Sequence, residues 1–156
     1  MKPNDQDRQI IELLNQNARM HSSKISQATG IPERTVRYRM NKLLADGTIK
    51  PVAVVDPERF GYTMIVDISC QVDMALRETV LESLIGLSEI TYLAFSTGEQ
   101  DLNIQARFKN STEMHEFITN RLYHIPGLLR TKTELVASIL KETNQWLPPH
   151  NDYVDG

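Results

Sequence analysis

Residues 32–46 read PERTVRYRMNKLLAD, and their pattern predicts an amphipathic α-helix. Apolar residues recur at i, i+4, i+7 and i+8, which places one apolar stripe along the helix: Val36, Met40, Leu43 and Leu44. Pro32 suits the first helical turn because its missing N–H is no loss there, and Gly47 suits the helix stop. This stretch therefore offers one face to a core and the other to solvent or a partner.

The outward face of this helix is basic. Four cationic residues and no acidic residue lie between Arg34 and Lys42. With about 100° of rotation per residue, Tyr38 and Asn41 fall opposite the apolar stripe together with Arg34 and Lys42. Such a face can contact DNA phosphates and base edges, although a solvated helix surface has the same composition.

The segment before this helix favours DNA binding. Residues 22–29 read SSKISQAT, which indicates a short helix with a serine cap and apolar contacts at Ile25 and Ala28. Gly30 is typical of the turn that follows a helix. A short helix, a glycine-containing turn and a second helix with a basic outer face make a helix-turn-helix, a motif that reads the major groove of DNA.

The side chains predicted to contact DNA are those that reach outward from the two helices. Arginine can bond guanine or phosphate through two N–H groups, whereas lysine and asparagine make point contacts. Arg39 lies near the apolar face, where an ion pair with a carboxylate inside the protein is an equal alternative. The serines that begin the first helix could bind phosphate or simply cap the helix. The predicted DNA-binding residues are Ser22, Ser23, Lys24, Arg34, Thr35, Arg37, Tyr38, Asn41 and Lys42.

Composition and charge limit the possible classes of protein. Of the 156 residues, 40% are hydrophobic and 24% are charged, as in ordinary globular proteins. The chain has no apolar run that could span a bilayer and no signal-peptide core, and its one cysteine, Cys70, cannot form an internal disulfide. We therefore expect a cytoplasmic protein without a membrane partner. Residues 1–60 contain ten Lys/Arg and seven Asp/Glu, whereas residues 61–156 contain seven and thirteen, so only the first part suits a polyanion.

A βαββαβ order of elements is predicted for the second part of the chain. Alternating and helical apolar periods give six elements: strand Met64–Val72, helix Leu76–Gly86, strand Ile90–Ser96, strand Leu102–Phe108, helix Ser111–Ile125 and strand Leu129–Leu140. With right-handed crossovers, this order folds as a four-stranded antiparallel sheet with both helices on one face. A second copy of the chain could cover the other face, so we expect at least a dimer.

The predicted architecture is α+β with two domains. Residues 1–60 form a helix-turn-helix domain, which begins with a helix from Asp5 to about Asn17 and ends with Ile49–Val55 as a wing or tether strand. Residues 61–143 form the sheet domain, and residues 144–156 form a loosely packed tail.

Two sets of residues, in order and at matching spacing, resemble the Lrp/AsnC family of transcription regulators. The first set runs through the helix-turn-helix: Asp5-x-x-Arg8-x-Ile10-Ile11-x-Leu13-Leu14, Arg19, Ile25…Gly30-Ile31, Val36-x-x-Arg39-Met40-x-x-Leu43 and Gly47-x-Ile49. The second set lies in the sheet domain: Thr97-Gly98-Glu99-Gln100-Asp101-Leu102 and Ile125-Pro126-Gly127…Thr131-x-Thr133. The resemblance covers nearly the whole chain.

The resemblance implies a winged or plain helix-turn-helix joined to a ferredoxin-like domain that senses a ligand. Family members form dimers through that domain and often assemble further, to tetramers or octamers. They commonly bind amino acids or similar small molecules between dimers, and the loop that matches Gly98–Asp101 belongs to this effector site. Pro32 stands where the family usually has a small polar cap, and Glu99–Gln100 replaces an aromatic-bearing pair, so the ligand's identity is not implied.

Residue chemistry allows either an effector site or an ordinary hairpin at this loop. Gly98 can adopt a positive φ, Asp101 could pair with an α-ammonium group, and Gln100 could hydrogen-bond to it. Hydroxyl groups on the last strand could bind a carboxylate. The predicted effector-binding residues are Thr97, Gly98, Glu99, Gln100, Asp101, Thr131 and Thr133.

The predicted function is a sequence-specific DNA-binding transcription regulator, modulated by a small ligand that the resemblance implies is an amino acid. Its expected partners are double-stranded DNA, the effector and further copies of the chain. No cofactor and no metal is expected, since the histidines lack metal-ligand spacing, and no set of catalytic residues indicates an enzyme. Two alternatives stay open: an amino-acid-binding module without DNA binding, and a sirohaem-decarboxylase-like enzyme on the same architecture.

Overall fold

Three helices build the first unit of the computed structural model, which describes residues 2–141 and 147–154. This unit, the head, comprises the chain up to Val54 together with the C-terminal segment from Lys141. Its helices are α1 (Asp5–Gln16), α2 (Ser22–Thr29) and α3 (Glu33–Ala45). Their apolar stripes meet in one small core: Ile10, Ile11, Ile25, Ile31, Val36 and Leu43.

The predicted helix-turn-helix is confirmed, with local corrections. Gly30 follows α2 with φ +72°, a left-handed conformation that glycine adopts without strain. Pro32 precedes α3 as its N-terminal cap residue instead of lying in the first turn. Leu44, predicted in the apolar stripe, is 41% exposed, and Ala28, predicted to make an apolar contact, is exposed. The buried stripe is narrower than the apolar pattern because three short helices enclose only a small core.

The segment Ile49–Val55 does not form the predicted wing or tether strand. These residues belong to no helix or strand, and Val52 and Val54 are 71% and 65% exposed. A β-strand needs a neighbouring strand for its N–H and C=O groups. Within the described parts of the chain, no strand pairs with this segment. Its β-branched residues favour an extended backbone, but an extended backbone becomes a β-strand only when another strand pairs with it.

Four antiparallel strands form the sheet of the second unit, the sheet domain (Val55–Leu140). The strands are β1 (Met64–Val72), β2 (Ile90–Phe95), β3 (Leu102–Phe108) and β4 (Leu128–Leu135), in the spatial order β2-β3-β1-β4. The crossovers contain helices α4 (Arg77–Ile85) and α5 (Ser111–Glu116). The βαββαβ order and the ferredoxin-like α+β class are therefore confirmed.

The second crossover is more irregular than predicted. The helix expected over Ser111–Ile125 is a short α5, capped by the side chain of Asn110 and not by Ser111. A π-helical turn over Phe117–Arg121 and a 3₁₀ turn over Leu122–His124 follow it. Apolar periodicity alone does not distinguish these tighter and wider turns from a continuous α-helix.

Strand β4 ends at Leu135, five residues before the predicted end at Leu140. Leu135 pairs with Val66 of β1, and Val136 N donates the last hydrogen bond, to Ile65 O at 2.9 Å. Strand β1 begins at Met64, so residues after Val136 have no neighbouring strand to pair with in the described part of the chain. The prediction was wrong because strand length depends on the neighbour as well as on β-propensity.

One face of the sheet is buried under the helices, and the other is polar. Val66, Ile68 and Cys70 alternate along β1 and are at most 1% exposed. Asp67 points to the opposite face, where its Oδ1 accepts a hydrogen bond from Gln105 Nε2 of β3 at 3.0 Å. Because the βαββαβ topology places both crossover helices of the sheet domain on the first face, the polar face is available to a second copy.

Gly127 lets the chain pass close to the start of α4. It has φ +91°, and a Cβ at this position would lie 2.7 Å from Leu76 Cβ and 3.1 Å from Val80 Cγ2. Gly127→Ala is expected to lower the free energy of unfolding by about 2 kcal/mol, since backbone conformation and packing both oppose the methyl group. Denaturant unfolding followed by circular dichroism measures the change.

Gly86→Ala is the matched control for this substitution. Gly86 has φ −74°, and a Cβ there would meet its nearest neighbour at an ordinary 3.7 Å. Alanine suits this helical conformation, so the control should be neutral or slightly stabilising. Equal losses in the two variants would contradict the steric argument for Gly127.

The C-terminal segment, predicted to be a loosely packed tail, is mostly exposed but contacts the head at two apolar residues. Residues 144–146 and 155–156 of that prediction lie outside the described part of the chain. Leu147 and Tyr153 pack against the core of the head, and a 3₁₀ turn spans His150–Asp152. A short polar segment with two prolines gives no local sign of such a contact, because its partner lies at the other end of the chain.

Candidate nucleic-acid interface and effector site

Helix α3 presents most of its predicted DNA-binding side chains to solvent. Tyr38 is 67% exposed, and so is the Arg37 side chain. Arg34, Arg37, Tyr38 and Asn41 are exposed, whereas Thr35 and Lys42 are half-buried. Because Val36 and Leu43 are held in the core, the opposite face of α3 presents mainly polar and basic side chains to solvent.

Glu33 joins the start of α2 to the first turn of α3. Its Oε1 accepts hydrogen bonds from Arg37 Nη2 at 2.7 Å and from Ser22 Oγ at 2.9 Å. These donors, Arg37 more than Ser22, lower the pKa of the Glu33 carboxyl below its ordinary value. The role of Glu33 was missed, although its i, i+4 spacing to Arg37 is a recognisable signal.

Ser22 is not the helix cap that the sequence suggests as one alternative. Helix α2 begins directly after His21, which makes no side-chain capping bond. The Ser22 hydroxyl instead donates to Glu33. The next two residues of α2 are exposed at its N-terminus: Ser23 and Lys24.

Arg39 is an internal ion-pair partner. Its Nη1 lies 2.9 Å from Asp7 Oδ1 and 3.2 Å from Asn4 Oδ1. Asp7 is only 6% exposed. Asn4 and Asp7 also cap α1 reciprocally: Asp7 N donates to Asn4 Oδ1, and Asn4 N donates to Asp7 Oδ2. Of the two alternatives for Arg39, the structure thus favours the ion pair, which ties α3 to the first turn of α1.

The loop between β2 and β3, predicted to bind the effector, is a hairpin fastened to β1 by Asp101. Asp101 Oδ2 accepts a hydrogen bond from Val72 N, and Asp101 N donates to Cys70 O, both at 2.8 Å. Gly98 has φ +144°, outside the usual range of other residues. One carboxylate oxygen of Asp101 is thus already engaged within the fold.

Gln100 carries a buried polar atom without a partner. Its Oε1 is shielded from solvent, and no described residue donates a hydrogen bond to it. The backbone around it is held by Ser96 Oγ, which donates to Gln100 O at 3.2 Å, and by Gln71 Nε2, which donates to Glu99 O at 3.0 Å. A buried acceptor left unpaired costs free energy, so a donor from a ligand would be stabilised here. The other predicted residues of the loop, Thr97, Gly98 and Glu99, are exposed.

The two predicted threonines lie one strand away from this loop. Thr131 pairs with Cys70 and Thr133 with Ile68 across β4 and β1, while Leu102 of β3 pairs with Cys70 from the other side. With strands spaced about 4.8 Å apart, Thr131 and the start of β3 are separated by about 10 Å. A shallow cavity of about 430 Å³ adjoins Thr131 and includes Tyr123 and Arg130. Thr133 lies two residues further along the strand.

A larger cavity, which the sequence did not indicate, lies at the other end of the sheet domain. It has a volume of about 730 Å³, and its walls come from the 3₁₀ turn Pro57–Phe60 and from α5 with its π-helical turn. Phe108 and Phe117 are among its lining residues, with ring centroids 5.2 Å apart. Asn120 and Glu116 line its rim. These residues are far apart in sequence, so only the fold brings them together.

The described residues give little support for a metal site, a reactive cysteine or a membrane-spanning helix. Among them, no three His, Cys, Asp or Glu side chains are grouped so as to hold a metal ion. Burial raises the pKa of the Cys70 thiol to about 12, which disfavours a reactive thiolate. No helix in the described part of the chain has both the length and the apolar character to cross a bilayer.

Comparison with known proteins finds a matching domain family for both units. A model of the Lrp/AsnC ligand binding domain matches residues 63–146, and a model of the winged helix-turn-helix DNA-binding domain matches residues 3–50. The chain belongs to the Lrp/AsnC family. It is a DNA-binding transcription regulator of the Lrp/AsnC type.

A relative agrees with this membership, and two solved structures agree with the fold. The HTH-type transcriptional regulator FL11 of Pyrococcus horikoshii is 34% identical over 140 residues, which cover 89% of this chain and 92% of FL11. A Neisseria meningitidis transcriptional regulator in complex with L-Met has TM-score 0.86 at 22% identity, covering 93% of this chain and 96% of that one. Escherichia coli AsnC has TM-score 0.84 at 23% identity, covering 91% and 97%.

These comparisons decide between the functions that the sequence left open. The curated relative is named as a transcriptional regulator, which confirms the prediction of a regulator that is not an enzyme. The match of the head to a DNA-binding domain argues against a ligand-binding module without DNA binding. The Lrp/AsnC assignment made from the two residue sets is confirmed.

Proposed function

We propose that this Lrp/AsnC regulator reads specific DNA sequences with the exposed face of α3 and responds to an amino acid bound at the loop Thr97–Asp101. The observation that carries the DNA-binding part is the arrangement of α3. Val36 and Leu43 are buried in the core, and Arg37 and Tyr38 project from the opposite face. A helix held in this way can enter the major groove with its basic face forward.

Two heads are needed to read an operator of ordinary length. We infer that the chain dimerises through the polar, uncovered face of its sheet, which would relate two heads by a two-fold axis. Two such heads would bind half-sites of a pseudo-palindrome about one helical turn of DNA apart. Tetramers and octamers could then form by contacts between dimers.

The effector part of the proposal is supported by Gln100. Its unpartnered Oε1 can accept a hydrogen bond from an α-ammonium group. Glu99 and Thr97 are exposed beside it, and a single chain does not enclose this loop, which suits a site completed by a second copy. The L-Met complex of the Neisseria meningitidis protein makes L-Met the first amino acid to test.

The test is a gel-shift titration of the purified protein on DNA from its own upstream region, over a series of salt concentrations, with and without individual amino acids. Specific binding should weaken as salt rises, since each phosphate contact releases counterions. One amino acid, L-Met tested first, should change the apparent Kd. Absence of specific binding under every condition would contradict the assignment of α3.

The variant Gln100→Leu, measured in the same titration, tests whether the effector binds at the loop Thr97–Asp101. The variant should bind DNA normally without ligand, because the removed oxygen has no partner among the described residues, and its response to the amino acid should weaken at least about tenfold. Asn120→Leu is the matched control, an amide-to-leucine change at the rim of the larger cavity. If Asn120→Leu abolishes the response and Gln100→Leu keeps it, the effector binds at the other end of the sheet.

A further inference from the structure

The head contains both ends of the chain. Residues 147–154, here called the C-terminal clasp, belong to the same unit as helices α1 to α3. Leu147 and Tyr153 pack against the core that Ile10, Ile25 and Val36 build. Partial burial contributes to raising the pKa of the Tyr153 phenol above its ordinary value. The clasp is therefore joined to the head by apolar contacts.

Backbone and polar contacts fasten the clasp to the start of α1. Val154 N donates a hydrogen bond to Pro3 O at 3.0 Å, and Asn4 and Val154 form a parallel β-bridge. His150 Nε2 lies 3.5 Å from Asp5 Oδ1. The clasp thus covers the two residues that precede α1 and touches its first turn.

Asn4 connects this contact with the recognition helix. Its Oδ1 accepts a hydrogen bond from Asp7 N at 3.1 Å and lies 3.2 Å from Nη1 of Arg39, which projects from α3. Asp7 Oδ1 binds the same Nη1 at 2.9 Å. Contacts therefore run without a gap from Val154, through Asn4, to a side chain of α3.

We propose that the C-terminal clasp is part of the DNA-binding head and positions the recognition helix α3 through the Asn4–Asp7–Arg39 cluster. This inference rests on the proposed role of α3 in DNA binding. The clasp limits the positions open to Asn4, and Asn4 and Asp7 hold Arg39. Loss of the clasp lets the start of α1 fray, because terminal segments are ordered only where they are tied down. The orientation of α3 against α1 is then less restricted.

The chain enters the head twice, once at each end of the sheet domain. The chain leaves the head after Val54, forms the sheet domain and returns to the head at Lys141. The sheet domain is therefore joined covalently to the head at both of its ends.

The first experiment removes the clasp from the full-length protein. A chain that stops after Trp146, and the variant Tyr153→Ala in the intact chain, should both bind specific DNA about tenfold more weakly than the parent. Asn151→Ala is the control, because Asn151 is exposed on the 3₁₀ turn of the clasp. Amide hydrogen exchange should accelerate in the first turn of α1 in the two test variants only.

Two explanations for weaker DNA binding can be separated: a misplaced α3 and an unfolded head. They predict different changes in specific and non-specific affinity. A misplaced α3 no longer reaches the bases but keeps its charge, so specific affinity should fall while non-specific affinity and the salt dependence stay the same. An unfolded head would lower both affinities together, and circular dichroism would show a smaller helix content. Unchanged specific affinity in both test variants, or equal loss of both affinities, overturns the proposal. If the parent itself binds no specific DNA, the proposed role of α3 fails first, and the hydrogen-exchange result alone then decides whether the clasp restrains α1.

A double-mutant cycle tests the route through Asn4. Serine is also a good N-cap but is too short to reach Arg39, so Asn4→Ser separates the two roles of Asn4. In the full-length chain this variant should weaken specific binding about as much as clasp removal, and in the shortened chain it should add little. Strictly additive effects would show that the clasp does not act through Asn4 and overturn the proposed route.

Discussion

Replacing Arg34 and Arg37 together with alanine is expected to weaken specific DNA binding by about 100-fold, since removing one bond to guanine or phosphate costs about 1–3 kcal/mol. Both side chains lie on α3 outside the buried core of the head, so the head should fold without them. The apparent Kd is measured by gel shift across a salt series. The slope of log affinity against log salt should become shallower by about one for each phosphate that is no longer bound.

A charge-matched control separates this effect from the loss of general positive charge. Arg59→Ala with Lys141→Ala also removes two cations, from exposed positions outside the three helices of the head. This control should bind DNA within about twofold of the parent, because neither charge lies on the helices proposed to contact DNA and exposed charges are screened by salt. Gel filtration should give the same oligomer size for all three proteins. If the Arg34/Arg37 variant keeps its affinity and its salt slope, α3 is not the recognition helix.

Asp7→Ala should cause the largest loss of stability in the head, about 3 kcal/mol, because it leaves the Arg39 guanidinium largely buried without its carboxylate. The Asp7 side chain is 8% exposed and that of Arg39 is 20% exposed, so water replaces little of the missing interaction. The capping bond from Asn4 N is removed as well. Denaturant unfolding, with amide exchange of α1 to identify the head, measures the change.

Two further variants define the cause of that loss. Asp5→Ala removes the same side chain type from the same helix, but the Asp5 side chain is 45% exposed and pairs with Arg8 on the helix surface, so its effect should be much smaller. Asp7→Leu combined with Arg39→Met removes both charges and should recover most of the stability lost in Asp7→Ala. Equal losses in Asp5→Ala and Asp7→Ala would show that the buried ion pair is unimportant.

The elements with clear periodicity were predicted to the residue. Strands Met64–Val72 and Leu102–Phe108 have the predicted bounds, because alternation with a period of two marks a strand with one buried face. Helix Ser22–Thr29 also has the predicted bounds, ended by Gly30. For α3, a rotation of about 100° per residue was enough to separate the buried Val36 from the exposed Tyr38.

Predictions failed where the outcome depends on a distant partner. Strand β4 stops where β1 offers no further pairing, and Ile49–Val55 has strand-like residues without a neighbouring strand in the described parts of the chain. Leu44 has the right spacing for the core but lies outside it. In each case, the local pattern indicates the conformation or burial that a residue favours. The fold decides whether a pairing strand or a packing partner is present.

The sequence by itself determined the fold class and which side chains of α3 face outward, because both follow from local periodicity and spacing. The family followed from two sets of residues that resemble Lrp/AsnC regulators. Only the tertiary structure decided that Arg39 pairs with Asp7, that Gln100 keeps an oxygen without a partner among the described residues, and that the C-terminal clasp packs on the head. The physical reason is the same for each. Burial and hydrogen bonding depend on residues that are far apart in the chain. A local sequence pattern does not identify those residues.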